Sequence, residues 1–477
     1  MALHFYNTLT RSLQPFHPIE PGTARVYACG PTVYQLPHVG NYRAFVFNDL
    51  LHRYLEWKGY RVTFVMNLTD VDDKTIAGAK ARNVSLEEFT RPVIDDFFAE
   101  LDRLGIARAD AYPRATRHID QMVALIQKLV DRGHAYAVQG SVYFDISSFP
   151  QYGKLSRIDP SEMRKGERVA ADEYEKGDVR DFALWKAAKD IDHEVGAVWD
   201  TPWGEGRPGW HIECSAMSMA QLGPTFDIHT GGEDLIFPHH EDEIAQSEAA
   251  TGKPFVNYWL HVKHLLVNGE KMSKSKGNVY TLDDLQEQGF STAAVRYLLL
   301  SAHYRHELNF TFNGLKDAQA ALRRAVDFHD RLLETKTEDD APAAGIDALA
   351  TTARQNFETA LDDDLNVPAA LAALFTFIRE TNAALDKAER PNTAEVRRAI
   401  ETIESFDSVL NVMNLARAHA RSVEARLADW VEAKLAQRQE ARARRDFDTA
   451  DRIRDELTAA GIIIEDTPSG PRWKKTP

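Results

Sequence analysis

Two short stretches carry residue types suited to phosphate chemistry. Pro37-His38-Val39-Gly40-Asn41 lies between an apolar run and a helical pattern, where a helix start turns free backbone N–H groups and its dipole toward an anion. Gly40 permits close approach there, and His38 and Asn41 add side-chain donors. Lys271-Met272-Ser273-Lys274-Ser275-Lys276-Gly277-Asn278 interleaves three ammonium groups with small hydroxyl residues and glycine, a composition that suits a loop closing over a polyphosphate. Taken alone, a stretch like the first is more often just a turn, and one like the second is a solvated surface loop in most proteins. Cys29 and Cys214 are the only cysteines. They exclude a disulfide framework and are either inert core thiols or groups that do chemistry.

The elements that must position these residues follow from periodicity. Residues 25–29 form an apolar run, Phe45, Leu50, Leu51, Tyr54 and Leu55 fall near helical spacing within 41–58, and 61–66 is rich in β-branched and aromatic residues. Together they predict a strand–helix–strand unit with parallel strands, as in a nucleotide-binding α/β sheet. The pattern is helical over about 85–134; a Gly-rich, strand-like stretch over 141–155 and a charged segment to about 192 then read as an insertion. The sheet resumes at 225–229, followed by Gly231-Gly232 and a helix predicted to open at Pro238. Beyond about residue 282 the chain is almost wholly helical in pattern, with a Pro/Ala/Asp-rich break at 336–347. One charge-laced helix is predicted over 425–457, then a short strand and turn.

The chain has 477 residues, 44% hydrophobic and 27% charged, enough for several cored domains and outside the disordered and collagenous classes. Its net charge of −15 argues against wholesale coating of nucleic acid or anionic membrane, but residues 421–477 stand at +1 against −16 for the remainder, so the tail tolerates a polyanion best. No run approaches 18 apolar residues, and Met1-Ala2-Leu3-His4-Phe5 lacks the charge and apolar stretch of a signal peptide. A cytoplasmic protein that does not enter a membrane is expected.

Residues 38–41 and 271–275 resemble the HIGH and KMSKS signatures of class I aminoacyl-tRNA synthetases. Narrower words surround them: Cys29-Gly30-Pro31-Thr32-Val33-Tyr34, Asn67-Leu68-Thr69-Asp70-Val71-Asp72-Asp73-Lys74, Gly209-Trp210-His211-Ile212-Glu213-Cys214-Ser215 and Phe237-Pro238-His239-His240-Glu241-Asp242-Glu243. With Ala360-Leu361-Asp362-Asp363-Asp364-Leu365-Asn366, these resemble the cysteinyl-tRNA synthetase family from about Thr8 to Trp473. The resemblance implies an α/β fold: a Rossmann-type parallel-sheet catalytic domain in two halves (1–110 and 201–260) split by an inserted segment (111–200). A KMSKS-loop and stem-contact region (261–312), a DALR-like helical bundle (313–420) and a small anticodon-side module (421–477) would follow.

It also implies a zinc ion, one per chain, on Cys29, Cys214, His239 and Glu243. The residues agree to this extent: His239 and Glu243 are four apart and share a helix face, and thiolate, imidazole and carboxylate all suit zinc. Without the resemblance, a solvated helix face and core thiols remain open. Serine differs from cysteine by one atom, a difference packing resolves poorly, whereas a soft metal separates thiolate from hydroxyl. Thr69 and Trp210 resemble residues lining the cysteine pocket; Gly40, Gly231, Gly232 and Asp234 resemble those receiving ATP, which comes with Mg2+. His38, Asn41, Lys271 and Lys274 would carry catalysis at the phosphates. The family commonly has histidine where this chain has Asn41, which replaces a side chain able to be cationic with a neutral amide donor. The implied partners are L-cysteine, ATP and tRNA(Cys), with a monomeric enzyme. Two rivals stand beside this reading: a cysteine-activating paralogue that joins cysteine to a sugar amine, and a non-catalytic tRNA-binding protein.

Overall fold

A hairpin of β1 (His4–Asn7) and β2 (Ser12–Pro15) opens the chain in this computed structural model, which describes residues 2–159, 181–272, 276–467 and 470–475. Then come β3 (Thr23–Ala28), α1 (Val39–Trp57) and β4 (Arg61–Met66), the predicted strand–helix–strand unit. Helices α2 (Asp73–Arg82) and α3 (Leu86–Arg103) follow, and α4 (Ile119–Asp131) comes after a non-helical stretch. The helical pattern over 85–134 is therefore two helices. Between them Ala111 and Arg114 bridge to Val65 and Leu68 beside β4.

The next elements are β5 (Ala135–Val138), β6 (Ser141–Phe144), β7 (Phe182–Ala187), α5 (Asp190–Val195) and β8 (Gly206–Pro208), the four strands making an antiparallel sheet in that order. The chain then continues through α6 (Trp210–Leu222), β9 (Phe226–Gly232), α7 (Glu241–Thr251) and β10 (Val256–Val262). The central sheet has the order β10-β9-β3-β4 and is parallel throughout. Strands β3, β9 and β10 are buried along almost their whole length because both faces are covered. Val26, Tyr27, Ala28, Phe226 and Ile228 are buried there, and Val26 registers with both Phe64 and Ile228. Two halves of the chain about 200 residues apart thus share one core.

The helix predicted to open at Pro238 is present. Phe237, preceding a proline, is extended (φ −139°, ψ 131°), as expected for such a residue. The break falls at Phe237; helical backbone resumes after it and passes through His240 (φ −72°, ψ −30°) into α7, whose regular turns begin at Glu241.

Beyond β10 lie β11 (Leu265–Val267), β12 (Glu270–Lys271), α8 (Leu282–Glu287), α9 (Thr292–Leu300) and β13 (Leu308–Phe310), with the strands ordered β12-β11-β13. The bundle comprises α10 (Phe312–Glu334), α11 (Ile346–Asp362), α12 (Val367–Leu385) and α13 (Thr393–Leu410). Phe357 and Phe406 stack in its core at 4.2 Å. The Tyr54 hydroxyl and the Lys58 ammonium donate to Asp362 and Glu358 at 2.7 and 2.6 Å, fastening the end of α1 to α11. The 360–366 stretch belongs to this joint. Asp364 accepts from the Tyr6 amide, the Tyr304 hydroxyl and Arg305.

Residues 1–413 form one compact unit and 414–477 a second. The single helix over 425–457 is corrected: α14 (Met413–Ala443), which begins at the boundary, and α15 (Phe447–Ala459) are separate helices, followed by β14 (Ile462–Thr467) and β15 (Gly470–Lys475) as a hairpin. Arg445 is left-handed (φ 59°), and the Asp446 carboxylate caps α15 by accepting from the Thr449 amide. Val431, Leu435, Ile453, Leu457 and Ile462 form the core of the second unit. Among the described residues no helix is long and apolar enough to cross a membrane.

Candidate active site and metal centre

The parallel strands β3 and β9 end side by side, and their C-terminal edge gathers the site. Cys29 follows β3 and donates its backbone N–H to Thr230 of β9. Cys214 lies in the second turn of α6, Glu243 in the first turn of α7, and His239 in the irregular turn before α7. One donor atom from each of Cys29, Cys214, His239 and Glu243 falls within 4.8 Å of all the others. The sulfurs are 3.9 Å apart, and His239 Nε2 is 3.1 Å from Glu243 Oε1. Burial pushes the Cys29 thiol well up, while Cys214, beside it and close to His239, is held down to about 6. Burial would lower His239, but Cys214 and Glu243 beside it raise it to about 10; Glu243 is in turn brought down to about 2 by His229 and His239 against its burial. Two thiols, an imidazole and a carboxylate packed this closely and this deep form a donor set of the kind that holds zinc.

A second group, Cys29, His229, His240 and Glu243, meets the same spacing. In it, His229 Nε2 lies 3.0 Å from Glu243 Oε2, and its ring stacks on Trp259 at 4.6 Å. His240 pairs with His261 at 2.8 Å, and His261 pairs with the Thr8 hydroxyl at 2.8 Å. These imidazoles fit the outer support of a centre, where a ligating carboxylate is itself hydrogen-bonded. Sequence reasoning left out His229, His240 and His261. The signal available was an imidazole inside each of two buried strands, β9 and β10, and the doubled histidine before Glu241. The imidazole of His240 also explains Gly231, because a Cβ there would sit 2.6 Å from His240 Cε1.

Trp210 opens α6, is 37% exposed, and stacks on His239 at 4.2 Å. Thr69 is buried just beyond β4, and its main chain pairs with the 31–33 segment. Gly232 ends β9, and Asp234 is exposed in the short helical turn after it, with its carboxylate close over Gly232.

His38 is the N-cap of α1. Asn41 Oδ1 accepts from the His38 backbone N–H at 3.1 Å, so this amide closes the first turn of the helix as a capping-box residue does. Lys271 ends β12 and is exposed. Met272 reaches the Gly40 turn, where a Cβ on Gly40 would lie 3.7 Å from Met272 Cε, and the Val39 N–H donates to Tyr280 at 3.0 Å. The loop and the His38 turn are thus neighbours on both flanks. Lys274 lies outside the described residues.

The fold is that of the class I aminoacyl-tRNA synthetases. Methionyl-tRNA synthetase of Mycobacterium tuberculosis bound by methionyl-adenylate superposes with a TM-score of 0.58 at 17% identity, over 82% of this chain and 90% of that one. LeuRS of Agrobacterium radiobacter K84 in a ternary complex gives 0.59 at 13% identity, over 84% and 86%. Residues 15–320 match the class I (C) tRNA synthetase catalytic domain, 356–414 the DALR domain and 424–473 the cysteinyl-tRNA ligase anticodon binding domain. Cysteine–tRNA ligase of Solibacter usitatus (strain Ellin6076) is 48% identical over the full length of both chains, and that of Chlamydia muridarum (strain MoPn / Nigg) is 46% identical, again over both full lengths. The chain belongs to the cysteine–tRNA ligase family.

Proposed function

We propose that the protein activates L-cysteine with ATP to cysteinyl-adenylate and pyrophosphate, then transfers the cysteinyl group to the terminal ribose hydroxyl of tRNA(Cys). The observation that carries the reading is the convergence of Cys29, Cys214, His239 and Glu243 at the edge of a class I sheet. Zinc held there supplies a soft Lewis acid that takes a thiolate in preference to a hydroxyl. Trp210, stacked on His239, walls the pocket beside it, and Thr69 supplies a hydroxyl. ATP enters with Mg2+. Its adenosine is received at Gly231, Gly232 and Asp234, and its phosphates lie at the start of α1. There His38 donates to the phosphates while Gly40 lets the backbone approach. Asn41, whose oxygen is committed to the His38 amide, offers its Nδ2 donor. Lys271 and Lys274 neutralise charge as pyrophosphate leaves, so catalysis rests on positioning and charge stabilisation and forms no covalent enzyme intermediate. The protein acts in the cytoplasm as a monomer.

The match of residues 424–473 to an anticodon binding domain and the full-length relatives favour this over the sugar-amine paralogue. The decisive experiment is pyrophosphate exchange with cysteine and with serine, followed by charging of tRNA(Cys). Exchange should require cysteine. Exchange with neither amino acid, or with both equally, overturns the reading.

A further inference from the structure

A buried guanidinium ties the start of α1 to two segments of chain that pass beside it. Arg43 stands about one and a half turns after His38 on α1 and is 3% exposed. One of its terminal nitrogens donates to the His264 carbonyl at 2.6 Å, and the other donates to the carbonyls of His303, at 3.3 Å, and of His306. His264 lies between β10 and β11, and His303 and His306 lie between α9 and β13. A planar fork of donors suits three acceptors spread over two segments in a way that a single ammonium does not.

These bonds are a poor way to stabilise a fold. Among the described residues the partners of Arg43 are neutral carbonyls and include no carboxylate, whereas Arg296 has Asp49. Its Nε is buried without a hydrogen-bond partner. A charge buried against neutral groups is costly, so its use lies in what the tied segments carry. Val262 and Gly232 register at the ends of β10 and β9. Just beyond them Glu233 accepts from the His264 N–H at 3.1 Å and from the Lys263 ammonium at 2.6 Å. The Lys263 N–H donates to the Tyr304 carbonyl at 2.8 Å. His264 is thus held on both sides, through its N–H by the turn that ends β9 and through its carbonyl by α1.

We propose that Arg43 is a positioning residue that sets the spacing between the two ends of the ATP site, the nucleoside end at Gly231, Gly232 and Asp234 and the phosphate end at the start of α1. The inference rests on ATP lying as given under the proposed function. The two ends belong to different halves of the sheet, and Arg43, His264 and Glu233 join them in series. A ligand that spans both ends feels the spacing, and a ligand that occupies one end does not.

The test is cysteine-dependent pyrophosphate exchange in the full-length enzyme, with adenosine, which keeps the nucleoside and lacks every phosphate, as an inhibitor competitive with ATP. Arg43→Lys keeps the charge, but its ammonium cannot reach all three carbonyls. It should raise KM for ATP about tenfold, as expected for one lost hydrogen bond to a charged group. KM for cysteine and the inhibition constant of adenosine should stay within twofold. A residue that merely held the fold would weaken adenosine along with ATP. Should Arg43→Lys not fold, Glu233→Ala, at a half-buried position, cuts the same connection from the other side and should give the same split. A folded variant with KM for ATP within twofold of wild type overturns the proposal, and so does an equal loss toward ATP and adenosine. Asp234→Ala separates the two readings: if it leaves both ligands unaffected, the placing of the nucleoside fails and this inference with it, whereas a loss toward both there, with none toward ATP at Arg43, sinks this inference alone.

Discussion

Replacing Asp49 by alanine is expected to cost about 3–5 kcal/mol, the range for stranding one member of a buried ion pair. Asp49 lies on the helix that His38 caps, and it accepts from Arg296, from Arg53 Nε at 2.8 Å and from the Ala107 N–H at 2.7 Å. Arg296 is 0% exposed, and its other N–H groups reach the carbonyls of Leu410 and Leu104 at 2.8 and 3.2 Å. Those carbonyls satisfy hydrogen bonds but carry no compensating charge, so truncating Asp49 leaves a guanidinium charge in a dry site. The Arg53 pair is partly exposed and contributes under about 1 kcal/mol, so nearly all the loss comes from Arg296. Burial pushes the Asp49 carboxyl up, but Arg296 and Arg53 hold it below the usual carboxylate range. A carboxylate with a depressed folded value stabilises fully above the unfolded value of about 3.9 and loses that contribution as pH falls through the folded one. Asp49→Ala should therefore lower the urea midpoint at pH 7 and flatten the acid limb of stability below about pH 4. The paired replacement Asp49→Leu with Arg296→Met should recover most of the loss. A single variant within about 1 kcal/mol of wild type, or one with an unchanged acid limb, would refute the reasoning.

Metal analysis of the purified protein should find one zinc per chain, and Cys214→Ser should lose metal and selectivity for cysteine over serine while keeping its circular dichroism; active enzyme free of zinc would contradict this. Lys274→Ala should slow adenylate formation by about 10^2, in line with roughly 3 kcal/mol for one well-placed donor, with little change in apparent ATP affinity. Single-turnover kinetics should show transfer from preformed adenylate to tRNA spared. Deleting residues 414–477, a unit with its own core, should leave pyrophosphate exchange nearly intact and weaken tRNA charging; equal loss in both assays, with residues 1–413 still folded, would contradict this division of labour.

The strand–helix–strand unit was legible because an apolar run, a 3.6-residue period and a β-branched run succeed one another within residues 25–66. The second half-sheet was legible from Thr225 onward for the same reason. Which strand lies beside which was not: β9 pairs with β3 across about 200 residues, and the family resemblance alone brought Cys29 toward Cys214 before the structure did. The break at Arg445 was hidden because a left-handed arginine carries no compositional mark. The start of the helix that carries His239 and Glu243 was legible because proline opens helices well and holds the residue before it, Phe237, extended. Asn41 looked like the loss of a cationic group, and its backbone-capping bond could be seen only with coordinates.

The strand order also sets a schedule for synthesis. One edge of β3 is covered by β4 almost as soon as both have been made, but its other edge belongs to β9, which the ribosome delivers about 200 residues later. At about 5–20 residues per second that wait is roughly 10–40 s. For its duration Val26, Tyr27 and Ala28 present unpaired backbone and apolar surface, the kind of template on which chains aggregate. The antiparallel sheet of β5–β8 has time to form in that interval. The nascent chain is therefore most vulnerable between the emergence of β4 and that of β9, and a chaperone that shields a bare strand edge would act within that window.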